Sequence, residues 1–289
     1  MALRDRAQRS PLTCPVCGLL LVRQDATYVC AAKHMFDVAR EGYVNLILPQ
    51  HMRTRVPGDN AAMVDARARF LGAGHYAPLA EALVGTIGAN LPEARPSVVV
   101  DAGCGDGHYL WRLRQSIAAT SVDAYGLDVS RHAIRRAARR DLCSTYVVAS
   151  NHRLPLQDRS IDVLFSHFSP VDPEEFVRVL AQGGKIILGL PGPEHLFSLK
   201  QLIYSTPVPH SLEDPLAACS ALALTATRRI QFDLRIESAQ HVADLLAMTP
   251  FYWSASATIQ ELLKQRDTLD TTVDVILRTY QQQRATTAL

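Results

Sequence analysis

Val98-Val99-Val100-Asp101-Ala102-Gly103-Cys104-Gly105-Asp106-Gly107 runs from an apolar strand into a glycine-rich turn, and residues 110–117 follow as an expected helix. Glycines in such a turn let the backbone approach a ligand closely. The pattern continues outward. Residues 124–128, 146–148, 163–165 and 185–188 read as further apolar strands, alternating with amphipathic helices over 134–140 and 173–180. Five strands in alternation with helices predict an α/β fold built on a doubly wound parallel sheet.

The flanks differ in texture. After Pro207, residues 227–235 and 272–278 alternate apolar with polar side chains, which predicts half-exposed antiparallel strands at a sheet edge. Before the turn, Leu79, Leu83 and Ile87 fall at helical spacing within residues 76–91, and residues 92–97 break that helix. Another helix is expected over 60–71, with Asp59 as its N-cap. The chain shows no internal repeat.

A dinucleotide-binding turn would place its third glycine three positions after the second, whereas Gly103, Gly105 and Gly107 are evenly spaced. Asp101 heads this turn and Asp128 closes the next strand about twenty residues on. Together these features resemble the Rossmann-like class I methyltransferases that use S-adenosylmethionine. That resemblance implies that Asp128 holds the ribose hydroxyls, a task suited to a carboxylate, which can accept two hydrogen bonds from a vicinal diol. A helix N-cap ahead of Ser130 is the plainer role for Asp128, and the two are compatible. Asp101, Gly103, Gly105, Gly107 and His108 complete the expected cofactor set. Asn151 and His152 fall at the third-strand end, where such enzymes grip the adenine edge, although either could simply stabilise its loop.

Near the N-terminus, Cys14 and Cys17 are separated by two residues, Cys30 and His34 by three, and twelve residues lie between the pairs. Two short hooks bring four ligands to one tetrahedral ion without straining the backbone, and thiolates favour zinc. Four protein ligands leave no open position, so the expected ion is one structural Zn2+ whose binding supplies folding energy to a module too small for its own core. Free, unrelated cysteines are the alternative. Cys104, Cys143 and Cys219 are scattered, unlike a disulfide framework.

The 289 residues suffice for one α/β domain and a smaller appendage. With 48% hydrophobic and 20% charged residues, the composition excludes extensive disorder. A formal net charge of +2 decides nothing about nucleic acid, because a basic patch can be balanced elsewhere. No apolar stretch is long enough to span a bilayer and the first nine residues are too polar for a secretory signal, so a cytoplasmic protein without a membrane partner is expected.

Taken together, the Cys/His hooks, Phe36-Asp37-Val38-Ala39-Arg40-Glu41-Gly42-Tyr43-Val44-Asn45-Leu46, Gly74-His75-Tyr76, Ser150-Asn151-His152-Arg153-Leu154-Pro155, Pro191-Gly192-Pro193-Glu194-His195-Leu196 and Met248-Thr249-Pro250-Phe251 resemble the RlmA family of 23S rRNA guanine-N1 methyltransferases. The resemblance covers nearly the whole chain. It implies a zinc-binding RNA-recognition module over 1–48, a helical linker with basic residues over 49–95, and an S-adenosylmethionine-dependent methyltransferase domain over 96–289. It further implies a homodimer that methylates N1 of a guanine in the loop of 23S rRNA hairpin 35. Residues 50–59 resemble the branch typical of Gram-negative bacteria. One departure is Phe168-Ser169-Pro170, where the family pattern would have tyrosine and then alanine.

No catalytic base is identified. Phe168, at the fourth-strand end, is a candidate to stack on the target base, with core packing as its alternative. Arg40, Arg53, Arg55, Arg67 and Arg69 cluster around the join between modules and are expected to contact RNA phosphates, against the plainer reading of a solvated surface paired with Glu41 and Asp65. Two rivals remain. A small-molecule methyltransferase would show a deep apolar pocket, and a non-catalytic RNA-binding protein would not need the intact Gly103, Gly105, Gly107 and Asp128.

Overall fold

Strand β5 (Ser97–Ala102) and strand β6 (Val122–Asp128) lie side by side and parallel, as the alternation of apolar strands with helices predicts. The computed structural model describes residues 10–51, 58–92, 95–117 and 122–283. Continuing outward, β7 (Thr145–Val148) pairs with β6, while β8 (Ile161–His167) returns to the other side of β5 and β9 (Leu180–Pro191) lies beyond it. Strand order therefore reverses between β5 and β8, and a crevice opens at their C-terminal ends, where open α/β sheets bind ligands.

Two long strands complete that side: β10 (Leu222–Ile236) forms the edge, and β11 (Leu269–Gln282) runs antiparallel to both β9 and β10. The sequence places both at an edge and half-exposed. Only β10 is so: β11 is interior, and Thr271, Asp274 and Thr279 are buried in it. Asp274 among them faces a partner inside the protein, Arg229, instead of solvent.

Helices α1 (Ala61–Gly72) and α2 (Ala77–Gly88) arise where periodicity predicts. Asn60, not Asp59, caps α1, its side chain accepting from the Met63 amide at 3.0 Å. Phe70, Leu71, Leu79, Leu83 and Ile87 pack with Val99 of β5, and with residues of α3 (His108–Ser116) and α4 (Arg131–Arg140), in one core. The segment expected as a linker thus covers one face of the sheet.

The N-terminal module is a three-stranded antiparallel sheet of β1 (Leu21–Gln24), β2 (Thr27–Cys30) and β3 (Met35–Asp37). Its apolar side chains Leu12, Leu21 and Tyr28 join Leu127, Val147, Leu154 and Leu156 of the larger domain in a second core. β4 (Val44–Asn45) adds to the sheet in parallel beside β7, and the Leu46 amide donates to the Val148 carbonyl at 3.0 Å. The module covers what would be an open edge strand. Among the described residues no helix is long and apolar enough to cross a membrane.

Asp162, buried on β8, ties the start of β5 in place: its carboxylate accepts from the Val98 amide at 2.9 Å and from both terminal nitrogens of Arg95. Asp162→Ala should lower stability by about 2 kcal/mol, read as a reduced urea midpoint with unchanged slope; an unchanged midpoint would remove this role.

Candidate functional site

The glycine turn is pinned to β6 by its own backbone. The Gly103 and Cys104 amides donate to the Leu127 carbonyl at 2.7 and 2.9 Å, and the Gly105 amide donates to the Asp128 carboxylate at 2.9 Å. The other Asp128 oxygen accepts from the Ser130 amide at 2.7 Å. Ser130 itself caps α4, so the N-cap alternative for Asp128 is filled by its neighbour. Both Asp128 oxygens keep lone pairs for a ligand. Burial raises the Asp128 pKa, and the Ser130 and Gly105 amides work against that rise.

The three glycines divide the labour unequally. All have positive φ, but a Cβ at Gly103 would meet Ser169 Oγ at 1.9 Å, and one at Gly107 would meet Ala137 Cβ and Tyr146 Oη, each at 2.8 Å. Those two make room for protein. Only Gly105 leaves space on the cleft side, where the nearest atom to an added Cβ is an Arg67 nitrogen at 3.5 Å.

Above the turn lies a cleft of about 930 Å³, room for a cofactor-sized ligand. Asp101, Gly103, Gly105, His108, Asp128, Asn151, His152 and Phe168 all line it; Gly107 is not among the lining residues. Asp101 and four further lining residues, Tyr76, Ser166, His167 and His210, each carry a buried polar atom without a partner among the described residues. Buried polar groups are ordinarily satisfied. Five orphans around one cleft describe a site for a ligand with polar groups, set between apolar walls that include Met63, Leu71, Leu188, Met248 and Phe251. Burial, then the charges of Asp128 and Asp106, raises the Asp101 pKa well above its usual range. A cationic group placed against Asp101 would reverse that. The unpaired Asp101 oxygen, the open backbone at Gly105 and the Asp128 carboxylate fit a cofactor with a ribose and a positive charge.

The remaining expected residues are more mixed. Asn151 Nδ2 donates to Ser169 Oγ at 3.0 Å and to the Pro170 carbonyl at 2.9 Å, which explains the serine where alanine is expected. His152 is exposed and meets the Asp172 carboxylate at 3.1 Å. His108 is buried, and burial pushes its pKa down to about 4. Phe168 sits at φ 54°, a costly conformation for a bulky residue. It keeps 44% of its surface exposed, which removes core packing as its explanation. Its ring lies 3.9 Å from that of His167 and 5.0 Å from that of His195.

Two arginines are employed differently from the phosphate contacts expected. Arg69 forms two hydrogen bonds to the buried Asp244 carboxylate, at 2.6 and 3.0 Å, joining α1 to the helix Ala239–Ala247. Arg67 turns into the cleft wall, paired with Asp59 and donating to the Met248 carbonyl at 3.1 Å. Both charges are committed to partners inside the fold. Arg40 is exposed. Arg53 and Arg55, with most of the 50–59 stretch, lie outside the described residues. Tyr76, His167, His195 and His210 went unassigned in the sequence, because they come from separate segments and no spacing links them. The signal that could have raised two of them is that Tyr76 and His195 stand inside motifs carrying the family resemblance.

At the far edge of the sheet, Cys14, Cys17, Cys30 and His34 present ligand atoms all within 4.8 Å of one another. Cys17 and Cys30 sulfurs are 3.7 Å apart, and His34 Nδ1 lies 3.4 and 3.6 Å from the sulfurs of Cys30 and Cys14. Tetrahedral zinc with bonds of about 2.3 Å to sulfur and about 2.0 Å to nitrogen requires separations near these. The hooks are closed by left-handed residues, Gly18 and Lys33, whose amides donate to the Cys14 and Cys30 carbonyls at 2.8 Å. The donor set fits a closed structural site.

Comparison with known proteins agrees with both halves. Residues 12–55 match the zinc-ribbon family described as RlmA, N-terminal, and residues 99–184 match a methyltransferase domain family. A 23S rRNA (guanine(748)-N(1))-methyltransferase of Streptomyces fradiae is 36% identical, over 84% of this chain and 85% of that protein. YxjB of Bacillus subtilis, described as a 23S rRNA (guanine-N(1)-)-methyltransferase, is 31% identical over 92% of this chain and 95% of its own. Among solved structures, the YcgJ protein of Bacillus subtilis aligns with a TM-score of 0.48 at 18% identity, over 71% of this chain and 98% of that one.

Purified protein should carry one zinc per chain, and chelation should release β1 to β3 to fast hydrogen exchange. Cys17→Ser should weaken zinc binding by on the order of 100-fold. Slow exchange throughout β1 to β3 in metal-free protein would contradict a structural ion.

Proposed function

We propose that this chain, which belongs to the 23S rRNA (guanine-N1)-methyltransferase family, methylates N1 of a guanine in the loop of 23S rRNA hairpin 35. The observation that carries the reading is the union of two parts on one sheet: a ligand cleft at the β5–β8 reversal and a Cys3His zinc ribbon seated on the β7 edge.

S-adenosylmethionine, when bound, supplies a methyl group already activated on a sulfonium. The protein's own residues position, stack and exclude water. In this reading Asp128 takes the ribose hydroxyls, Asp101 answers positive charge, and Gly105 with His108 borders the cofactor. Asn151 holds the β7 and β8 loops together beside the adenine, with His152 at the rim. Phe168, exposed in the cleft mouth, offers its face to the target base; a loop base is already partly unstacked, so drawing it out costs less than extraction from a duplex. With the methyl donor bound, Phe168 and the cleft walls would hold guanine N1 in line with the activated methyl, and the N1 proton would be released to water.

Arg40, Arg53 and Arg55 are retained as phosphate contacts, and a second copy of the chain as partner belongs to the same reading. Nucleoside analysis of unmodified 23S rRNA incubated with the protein and labelled S-adenosylmethionine tests it. N1-methylguanosine from one hairpin loop is expected; cofactor binding without RNA labelling would instead favour a small-molecule acceptor.

Three variants separate the roles. Asp128→Ala should weaken S-adenosylmethionine binding by about 10- to 100-fold. Phe168→Ala should leave that affinity within about twofold and slow RNA methylation by about tenfold or more, the worth of a base–aromatic stack. Arg53→Ala with Arg55→Ala should flatten the salt dependence of RNA binding without changing cofactor affinity; an unaltered slope would remove those two contacts.

A further inference from the structure

The loop after β9 is held by one carboxylate. Asp274, with no exposed surface at the centre of β11, accepts from the Glu194 amide at 3.0 Å and forms two hydrogen bonds with Arg229, both at 2.8 Å. Its backbone carbonyl accepts from the Gly192 amide at 2.8 Å. Gly192 has no side chain to spare, because a Cβ there would lie 2.3 Å from the Asp274 carboxyl carbon. β9 ends at Pro191, opposite Val275, so the Asp274 amide has no strand partner on that side. It donates instead to His195 Nδ1 at 3.2 Å.

That last bond fixes a tautomer. An amide N–H requires an unprotonated acceptor, so a neutral His195 must carry its proton on Nε2. Burial, with neighbouring His210, pushes the His195 pKa down to about 3, and the ring is neutral throughout the physiological range. Nε2–H has no partner among the described residues, and His195 lines the cleft beside Phe168, their rings 5.0 Å apart. Among the polar groups of the cleft, His195 therefore presents a donor of fixed tautomer next to the surface offered for stacking.

We infer that His195 reads the target base, its Nε2–H donating to the O6 carbonyl of guanine. The assignment rests on the guanine-methylating reading above and adds the atom that selects the base. Adenine would bring its own amino donor against Nε2–H, leaving two donors unsatisfied. As N1 gives up its proton to water, negative charge spreads to O6, and the same donor becomes a charge-assisted one. Asp274 and Gly192 are positioning residues: they hold His195 and touch no substrate.

The test is a cycle between one side chain and one substrate atom. RNA hairpins carrying guanosine or 6-thioguanosine at the methylated position, the latter a poor acceptor at that atom, are assayed for methylation rate and for affinity in the presence of S-adenosylhomocysteine. Wild-type protein should prefer guanosine by about tenfold in rate and by about five- to tenfold in affinity. His195→Phe keeps a ring but no donor, and both preferences should fall near unity. His195→Gln, whose amide can present an N–H at similar reach, should restore part of them. Equal preferences in wild type and His195→Phe would overturn the assignment. Should His195→Phe fail to bind S-adenosylhomocysteine, the His195→Gln comparison decides alone, a preference lost entirely being the contrary result. Wild-type protein that methylates neither hairpin would overturn the guanine reading itself, and this inference with it.

Discussion

Two amides on one carbonyl hold the site together. Gly103 and Cys104 both donate to Leu127, and that pair, with the Gly105 amide on Asp128, sets the turn after β5 against the end of β6. Everything in the cleft is referred to this junction. Asp128 is oriented by the turn it supports, α3 begins where the turn ends, and Ser169 of the β8 loop fills the space that Gly103 leaves. A side chain at Gly103 would push the β8 loop, and Phe168 with it, away from the cofactor wall. The fold is thus a device for placing loops from β5, β6, β7 and β8 at one crevice.

The ribbon depends on the sheet in turn. Its apolar residues Leu12, Leu21 and Tyr28 are buried in one cluster with Leu127, Val147 and Leu156 of the larger domain. Main-chain pairing seals the arrangement: the Thr13 amide reaches the Pro155 carbonyl at 2.8 Å, and β4 extends the sheet at β7. Glu41 receives both Arg135 and Arg139 from α4. These contacts set the zinc module against the sheet along the β4–β7 edge.

What could be read from sequence followed local patterning. The strand and turn over 98–107, the helices at 60–71 and 76–91, and the Cys14, Cys17, Cys30 and His34 set depend on spacing within short segments, and the folded chain has them there. What escaped depends on partners far along the chain. Arg67 and Arg69 look like surface cations until Met248 and Asp244, from the C-terminal third, arrive beside them. β11 reads as an edge strand because its alternation over 272–278 includes Thr272, Asp274 and Arg278; Asp274 is in fact the buried anchor of a loop, neutralised by Arg229. His195 shows the same limit: its ring is given a tautomer by an amide 79 residues later.

On the proposed function, the methyl donor is expected to lie across the Leu127–Asp128 junction with its reactive end toward Phe168 and His195. A crystal structure of the zinc-loaded protein with S-adenosylhomocysteine tests this directly. Density is expected in the cleft, with both ribose hydroxyls on the Asp128 carboxylate, the amino group against Asp101, and the sulfur open toward Phe168. Density for the ligand elsewhere, or a ribose that does not touch Asp128, would contradict it.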